Sequence, residues 1–169
     1  RQYGVTRRTR AAPVSNGAII VGEAASRYIV ALVQAAIILV GSALLFGVDW
    51  RAPWAVIALC AAMALVGSGV AMLLGTLGRS EQQVGAMALL LGLVMAALGG
   101  SMQPLEFFPD TMRTVAFVLT PHAWMNDALW KILVDGAGLA QVWKAIAVLA
   151  AAGLALLALA ARALARSLR

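Results

Sequence analysis

Charged residues are scarce in this sequence, and acidic residues are the scarcest of them. Of its 169 residues, 7 are Asp or Glu and 13 are Lys or Arg, whereas 63% are hydrophobic. A soluble domain of this length cannot bury so much apolar surface. The composition therefore excludes an ordinary globular protein and predicts an integral membrane protein.

Cysteine and histidine occur once each, as Cys60 and His122. A single cysteine excludes an intrachain disulfide and a cysteine metal site. No glycine-rich run ends in Gly-Lys-Ser or Gly-Lys-Thr, so the sequence contains no ATP-binding phosphate loop. We expect no bound cofactor or metal. The positive charges flank apolar runs, which membrane topology explains better than nucleic-acid binding does, so no nucleic-acid partner is expected.

Four long apolar runs organise the chain. They predict an all-α membrane protein, a polytopic helical bundle with transmembrane spans at residues 28–48, 52–78, 84–103 and 141–161. Residues 1–27 are predicted as a cytoplasmic amphipathic segment, broken near Pro13 and resuming with Ser15 or Asn16 as its N-cap, and 162–169 as a cytoplasmic tail. Because the first residue is Arg1 rather than Met, we expect the chain to be part of a longer protein.

Arginine and tryptophan predict the same topology. Four spans place both termini on one side, together with most of the arginines: Arg1, Arg7, Arg8, Arg10, Arg27, Arg79, Arg162, Arg166 and Arg169. Basic residues mark the cytoplasmic side. All the tryptophans would then lie at the opposite interface, where aromatic belts occur: Trp50, Trp54, Trp124, Trp130 and Trp143. We predict a multi-pass protein of the plasma (inner) membrane with both termini in the cytoplasm.

Residues 104–138 are too polar to cross a membrane but are rich in Phe and Trp. Pro109 begins one short helical pattern and Thr120 ends it, with Thr120 and Pro121 then serving as N-cap and first residue of a second short helix. We predict two re-entrant half-helices on the outer face. Backbone of this kind is tolerated at membrane depth only where protein or a water-filled cavity covers it.

Small residues recur along the spans. Gly85, Gly92 and Gly99 are seven residues apart, and Ala71 and Gly75 form a small-xxx-small pair. Such faces let membrane helices approach closely. The pattern is compatible with packing inside the bundle, with a dimer interface and with a flexible gate.

Polar residues that could support chemistry are few. The spans lack charged residues deep in their interior, which argues against coupling to protons or ions. Gln34 and Gln103 are candidates to line a transport path, although hydrogen bonding between helices is an alternative role. His122, Glu106 and Asp127 leave open a membrane-embedded enzyme with a site on the outer face.

Three stretches together resemble the permease subunits of ABC-2-type transporters. They are RRTRAAPVSNGAIIVGEAASRYIVALVQ, TLGRSEQQVGAMALLLGLVMAALGGSMQPLE and LGGSMQPLEFFPDTMRTVAFVLTPHAWMNDALWKIL, and they cover essentially the whole chain. The resemblance implies a six-span permease with a cytoplasmic coupling helix before its third span and two re-entrant helices between its fifth and sixth. This chain would supply the coupling segment and the last four spans.

The same resemblance implies partners and site residues. The chain would form the translocation path of an ATP-driven exporter rather than act as an enzyme, and a partner ATP-binding subunit would hold ATP and Mg²⁺. A second permease copy or a homologous permease would complete a dimer. The expected ATPase-coupling surface is Arg7, Arg8, Arg10, Pro13, Val14 and Ser15. The expected outer gate is Glu106, Phe107, Pro109, Pro121 and Trp124.

Overall fold

The computed structural model describes residues 15–167, and every regular element in that range is a helix. The helices are α1 (Asn16–Phe46), α2 (Pro53–Leu77), α3 (Glu81–Leu98), α4 (Asp110–Leu119), α5 (Pro121–Leu133) and α6 (Leu139–Ser167), with a 3₁₀ turn at Leu105–Phe107 before α4. The all-α class predicted from composition is confirmed.

Four helices are long and apolar enough to cross a membrane, as predicted: Gly17–Phe46, Pro53–Leu77, Glu81–Leu98 and Leu139–Arg166. Their ends differ from the hydropathy limits most at the start of the first helix, at the end of the third and at the end of the fourth, which continues to Ser167 rather than ending at 161. The first helix begins before the predicted span at 28–48, so residues 16–27 form its opening turns without a break. The third helix ends at Leu98 rather than at 103, because Gly99 and Gly100 follow and Gly100 has a φ of 85°.

Side-chain caps begin three of the helices. The hydroxyl oxygens of Ser15, Ser80 and Thr120 each accept a hydrogen bond from the backbone N–H three residues later, at 3.2–3.3 Å. Each cap satisfies one of the N–H groups that a helix leaves unpaired at its start. Thr120 therefore caps α5, with Pro121 at its first position, as the Thr-Pro sequence predicts.

The most extensive helix contact joins α2 and α6 and includes two glycines. A Cβ built at Gly69 would lie 2.6 Å from the Cβ of Leu156, and one at Gly153 would lie 2.5 Å from the Cβ of Leu65. Since both residue numbers increase together along the contact, α2 and α6 run parallel. Backbones this close gain dispersion energy, the main attraction between helices in lipid.

The main core lies where α2, α5 and α6 meet. Its largest fully buried side chains include Val56 and Leu59 from α2, Ile132 from α5 and Leu149 from α6. Ser68 is also buried, and its hydroxyl donates to the carbonyl oxygen of Ala64 at 2.6 Å, so this polar group is satisfied within its own helix. These three helices form one packed unit.

The two remaining long helices, α1 and α3, flank this unit and contribute little to its core. No residue of α3 is buried, and nothing within 4 Å faces a Cβ built at Gly85 or Gly92. Packing within the described bundle therefore does not use these two glycines. Gly99, the third in the series, makes a close contact, which belongs to the site described next.

Candidate functional site

The candidate site is the segment between the turn that ends α3 and the start of α6, which we call the α4–α5 cap (residues 104–138). It lies at the end of the bundle where α1 and α3 end and where α2 and α6 begin. The buried Ile132 anchors α5 to the core that it shares with α2 and α6. The cap is thus attached to the packed unit at α5 and meets α3 at its other side.

A hydrogen bond and a ring contact between Phe117 and Trp124 stabilise the corner between α4 and α5. The indole Nε1–H of Trp124 donates to the carbonyl oxygen of Phe117 at 2.8 Å, and the two rings meet edge to face with their centroids 5.2 Å apart. Pro121 supplies no N–H to continue α4, so the chain turns at Thr120, which is 2% exposed. Two of the predicted gate residues, Pro121 and Trp124, therefore set the shape of this corner.

The end of α3 touches the start of α5 at Gly99. A Cβ built there would lie 2.8 Å from Thr120 Oγ1 and 2.9 Å from the backbone nitrogen of Ala123, so only glycine fits without displacing α5. Beside it, Asn126 Nδ2–H donates to the Gly99 carbonyl oxygen at 2.8 Å and to Ser101 Oγ at 2.9 Å. One glycine and one amide together join α3 to the cap.

Ion pairs join α4 to α5 on the polar side of the cap. Asp127 Oδ2 lies 2.6 Å from Lys131 Nζ within α5, and Asp127 Oδ1 lies 4.0 Å from Arg113 Nη2 on α4. The Asp127 side chain is only 20% exposed, whereas both cations are about half exposed. Partly exposed pairs contribute about 1 kcal/mol or less each, so they orient the two helices more than they stabilise them.

The other predicted gate residues lie at the edge of the cap. Glu106 is exposed in the 3₁₀ turn, Phe107 is 69% exposed, and Pro109 occupies the N-cap position of α4. The residue of this turn that is buried is Leu105, which packs with Phe108 and three residues of α4 and α5: Ala116, Phe117 and Ala123. Among the described residues, Glu106 makes no hydrogen bond or ion pair with Trp124 or any other residue of α5.

The three residues considered for an outer-face enzyme do not form a catalytic arrangement. His122 makes no hydrogen bond to Glu106 or Asp127; its Nδ1 is buried without a partner, and burial lowers the pKa of its imidazole. Asp127 is paired with cations instead. No group of three potential metal ligands occurs among residues 15–167.

The remaining predicted site residues are separate from the cap. Gln34 is exposed on α1, where it faces a cleft beside α2, and Gln103 is exposed in the turn after α3 rather than inside a span. Of the predicted coupling surface, Arg7, Arg8, Arg10, Pro13 and Val14 lie outside the described residues. Ser15 lies at the boundary as the N-cap of α1.

Asn126 is the site residue that the sequence analysis missed. Its signal was a single amide in a short aromatic helix, which is weak because nothing in the sequence indicates that the Gly99 carbonyl lies opposite. Gly69 and Gly153 were also missed as packing positions. They are separated by 84 positions in sequence, so no local pattern connects them.

Comparisons with known proteins match this architecture to one family. The family model for the ABC-2 type transporter matches residues 1–134, most of the chain, and the chain belongs to that family. This confirms the resemblance seen in the sequence.

A curated protein is similar to most of this chain. The chain is 28% identical over 142 residues to the linearmycin resistance permease protein LnrN of Bacillus subtilis (strain 168). The match covers 84% of this chain and 37% of the relative, so the chain spans little more than a third of that protein's length. No solved structure matches.

Proposed function

We propose that this chain belongs to the membrane permease of an ATP-driven exporter. A separate ATP-binding subunit would hydrolyse ATP with Mg²⁺, and a second permease copy or a homologous permease would complete the path. Family membership and the four apolar helices support a membrane transport role. The observation that carries the mechanism is the contact of α3 with the α4–α5 cap at Gly99 and Asn126.

The way the helices pack suggests which parts move. The α2–α5–α6 unit has a continuous core, whereas α3 has no buried residue and joins the cap by a glycine contact and two amide hydrogen bonds. Breaking so few contacts costs much less than unpacking the core. We infer that α3 shifts against this unit during transport, and that the cap is the outer gate of the path.

The N-terminal end of α1 is the proposed input for this motion. The helix runs from Asn16 to Phe46 without a break, about 46 Å at 1.5 Å per residue. A displacement at Ser15 would therefore be carried to the opposite end of the membrane segment. The basic residues Arg7, Arg8 and Arg10, with Pro13 and Val14, would dock on acidic groups of the ATPase.

We further propose the plasma membrane as the location, with both ends of this segment in the cytoplasm, because its arginines cluster on that side. The name of the LnrN relative refers to resistance to linearmycin. Export of a toxic compound is therefore the first substrate class to test.

Co-purification of the full-length natural protein with the ATPase encoded beside it tests this proposal. Arg7, Arg8 and Arg10 are changed to Glu together, and complex yield and ATP turnover in lipid are measured. We expect both to fall, because charge reversal opposes acidic groups on the partner. Arg162→Glu with Arg166→Glu is the matched control and should leave the complex intact. A wild-type protein that binds no ATPase would contradict the exporter proposal.

A further inference from the structure

A cleft of about 520 Å³, lined by apolar residues and by a few polar side chains, lies between α1 and α2, remote from the α4–α5 cap. Glu23, Arg27 and Gln34 line it from α1, at spacings that place them on one face of that helix. Opposite them α2 presents small residues, including Gly67 and Ser68. Because these α2 side chains are small, an open space remains between α2 and the polar residues of α1.

Arg27 is only partly satisfied in this cleft. Its Nη2 lies 3.0 Å from Glu23 Oε2, and its Nε is shielded from solvent without a hydrogen-bond partner in the described chain. The two side chains are 37% and 48% exposed, and an exposed ion pair one helical turn apart is weak. An anionic ligand can therefore compete with Glu23 for the guanidinium.

The charge around the cleft favours an anion. The end of the bundle where α1 and α3 begin holds four arginines and two glutamates within residues 15–167: Arg27, Arg79, Arg162, Arg166, Glu23 and Glu81. The resulting positive potential attracts anions. A guanidinium also offers a planar fork of N–H donors, which two phosphate or carboxylate oxygens match better than the single oxygen now bound.

We propose that this cleft binds the anionic headgroup, phosphate or carboxylate, of a membrane amphiphile. The headgroup replaces Glu23 on Arg27, Gln34 lies within the same cleft as a hydrogen-bonding neutral group, and the apolar chain follows the lipid-exposed side of α1 at Val30, which is 56% exposed. The inference rests on the proposed function only for the placement of α1 in the membrane.

Gly75 on α2 provides a steric test of the same site. A Cβ built at Gly75 would lie 3.5 Å from Arg27 Nη2, an ordinary contact distance, so alanine fits beside the guanidinium. A leucine at this position extends further and would occupy the space that the guanidinium needs. Gly75→Leu should therefore block the site, whereas Gly75→Ala should preserve it.

The experiment measures equilibrium binding of radiolabelled dodecyl phosphate to the full-length natural protein in dodecyl maltoside, without ATP. Loss of a charged hydrogen bond predicts that Arg27→Gln weakens binding about tenfold or more. Arg27→Lys should be intermediate, since it keeps the charge but not the fork. Gly75→Leu should bind as weakly as Arg27→Gln, and Gly75→Ala should bind like wild type.

Arg162→Gln is the matched control for charge. The parallel contact of α2 and α6 places Arg162 near the depth of Gly75, but it does not line the cleft. Equal losses for Arg27→Gln and Arg162→Gln, or wild-type binding by Arg27→Gln, would overturn the proposal. Each variant must unfold at the same temperature as the wild type for its binding result to count. If the Arg27 variants unfold at a lower temperature, the comparison of Gly75→Leu with Gly75→Ala tests the site instead.

A second measurement separates a bound lipid from a transported compound. Competition by phosphatidylglycerol but not by phosphatidylcholine, unchanged by ATP and the partner ATPase, identifies a lipid headgroup. ATP-dependent movement of dodecyl phosphate across liposomes identifies a transported amphiphile. Both results support the site. Because binding is measured without ATP, a failure of the exporter proposal leaves the binding result interpretable.

Discussion

His122 combines a buried, unpartnered Nδ1 with a pKa that burial lowers from the ordinary value of 6.5. The folded cap therefore favours the neutral form of the imidazole. When the pH falls below 6.5, the unfolded chain takes up a proton that the folded chain resists. The stability contributed at this residue is therefore complete above about pH 6.5 and is lost as the pH falls through the lower, folded-state pKa.

We expect the thermal midpoint of the wild type to fall more than that of His122→Gln between about pH 7.5 and about pH 5. Glutamine keeps a polar side chain at the site but does not titrate, so the difference between the two proteins isolates the histidine. The measurement is thermal unfolding in detergent at several pH values. Identical pH dependence in the two proteins would contradict a buried neutral His122.

For single residues, the sequence predicted the local backbone conformation better than it predicted contacts with residues far away in the chain. Thr120 and Pro121 were predicted as cap and first helical residue because capping depends on neighbours in the chain, and the structure agrees. The role of Asn126 depends on a carbonyl 27 positions earlier, so no local pattern revealed it. The predicted gate and coupling roles of single residues stay predictions.

Helix α3 has one tight contact at its C-terminal end and open glycines along its length. Gly99→Ala places a Cβ 2.9 Å from the Ala123 nitrogen, whereas Gly92→Ala meets nothing within 4 Å. Because backbone cannot yield easily, we expect Gly99→Ala to weaken the contact of α3 with α5 by about 1–3 kcal/mol. Gly92→Ala should be neutral or slightly stabilising, since alanine favours helix.

Reactivity of a cysteine at Ala123, in a Cys60→Ala background, measures this contact. Ala123 is 0% exposed beneath Gly99, so a thiol there should react slowly with a membrane-impermeant maleimide. Gly99→Ala should accelerate labelling, and Gly92→Ala should not. Equal acceleration by both would mean that α3 moves as a whole rather than at its capped end.

Element number and type were well predicted, whereas several of the span ends were not. The four apolar runs correspond to four long helices, because hydropathy determines which segments suit a bilayer. The membrane span was placed from residue 28 because Glu23 and Arg27 interrupt the apolar run, whereas the helix itself was predicted to resume with Ser15 or Asn16 as its N-cap, and Ser15 is the N-cap of α1. These charges do not interrupt the helix, since they form an ion pair one turn apart.

For the whole molecule, the contact between α2 and α6 should dominate stability. Gly153→Ala would place a Cβ 2.5 Å from Leu65 Cβ and 2.8 Å from its backbone carbon, which must separate the two helices. We expect a loss of about 1–3 kcal/mol and a lower thermal midpoint. Gly85→Ala, with nothing within 4 Å, is the matched control and should leave the midpoint unchanged or raise it.

Unfolding followed by size-exclusion chromatography after heating would measure both variants in the same detergent. A Gly153→Ala protein as stable as wild type would mean that the α2–α6 contact is not the main packing interface. The sequence could not have ranked these glycines, because all of them lie in apolar helices. Only the pairing of α2 with α6, which is a property of the folded bundle, distinguishes Gly153 from Gly85.

The length of α1 also determines where a water-soluble partner can meet the protein. A helix of about 46 Å exceeds a hydrocarbon core of about 30 Å by about 16 Å, while each headgroup layer is only about 5–8 Å deep. If α1 lies along the membrane normal with Phe46 at one edge of the core, Ser15 would stand clear of the opposite headgroups, and Arg27 would lie near the boundary of the hydrocarbon. A partner holding this helix would stand off from the lipid, leaving a layer of water between its surface and the membrane.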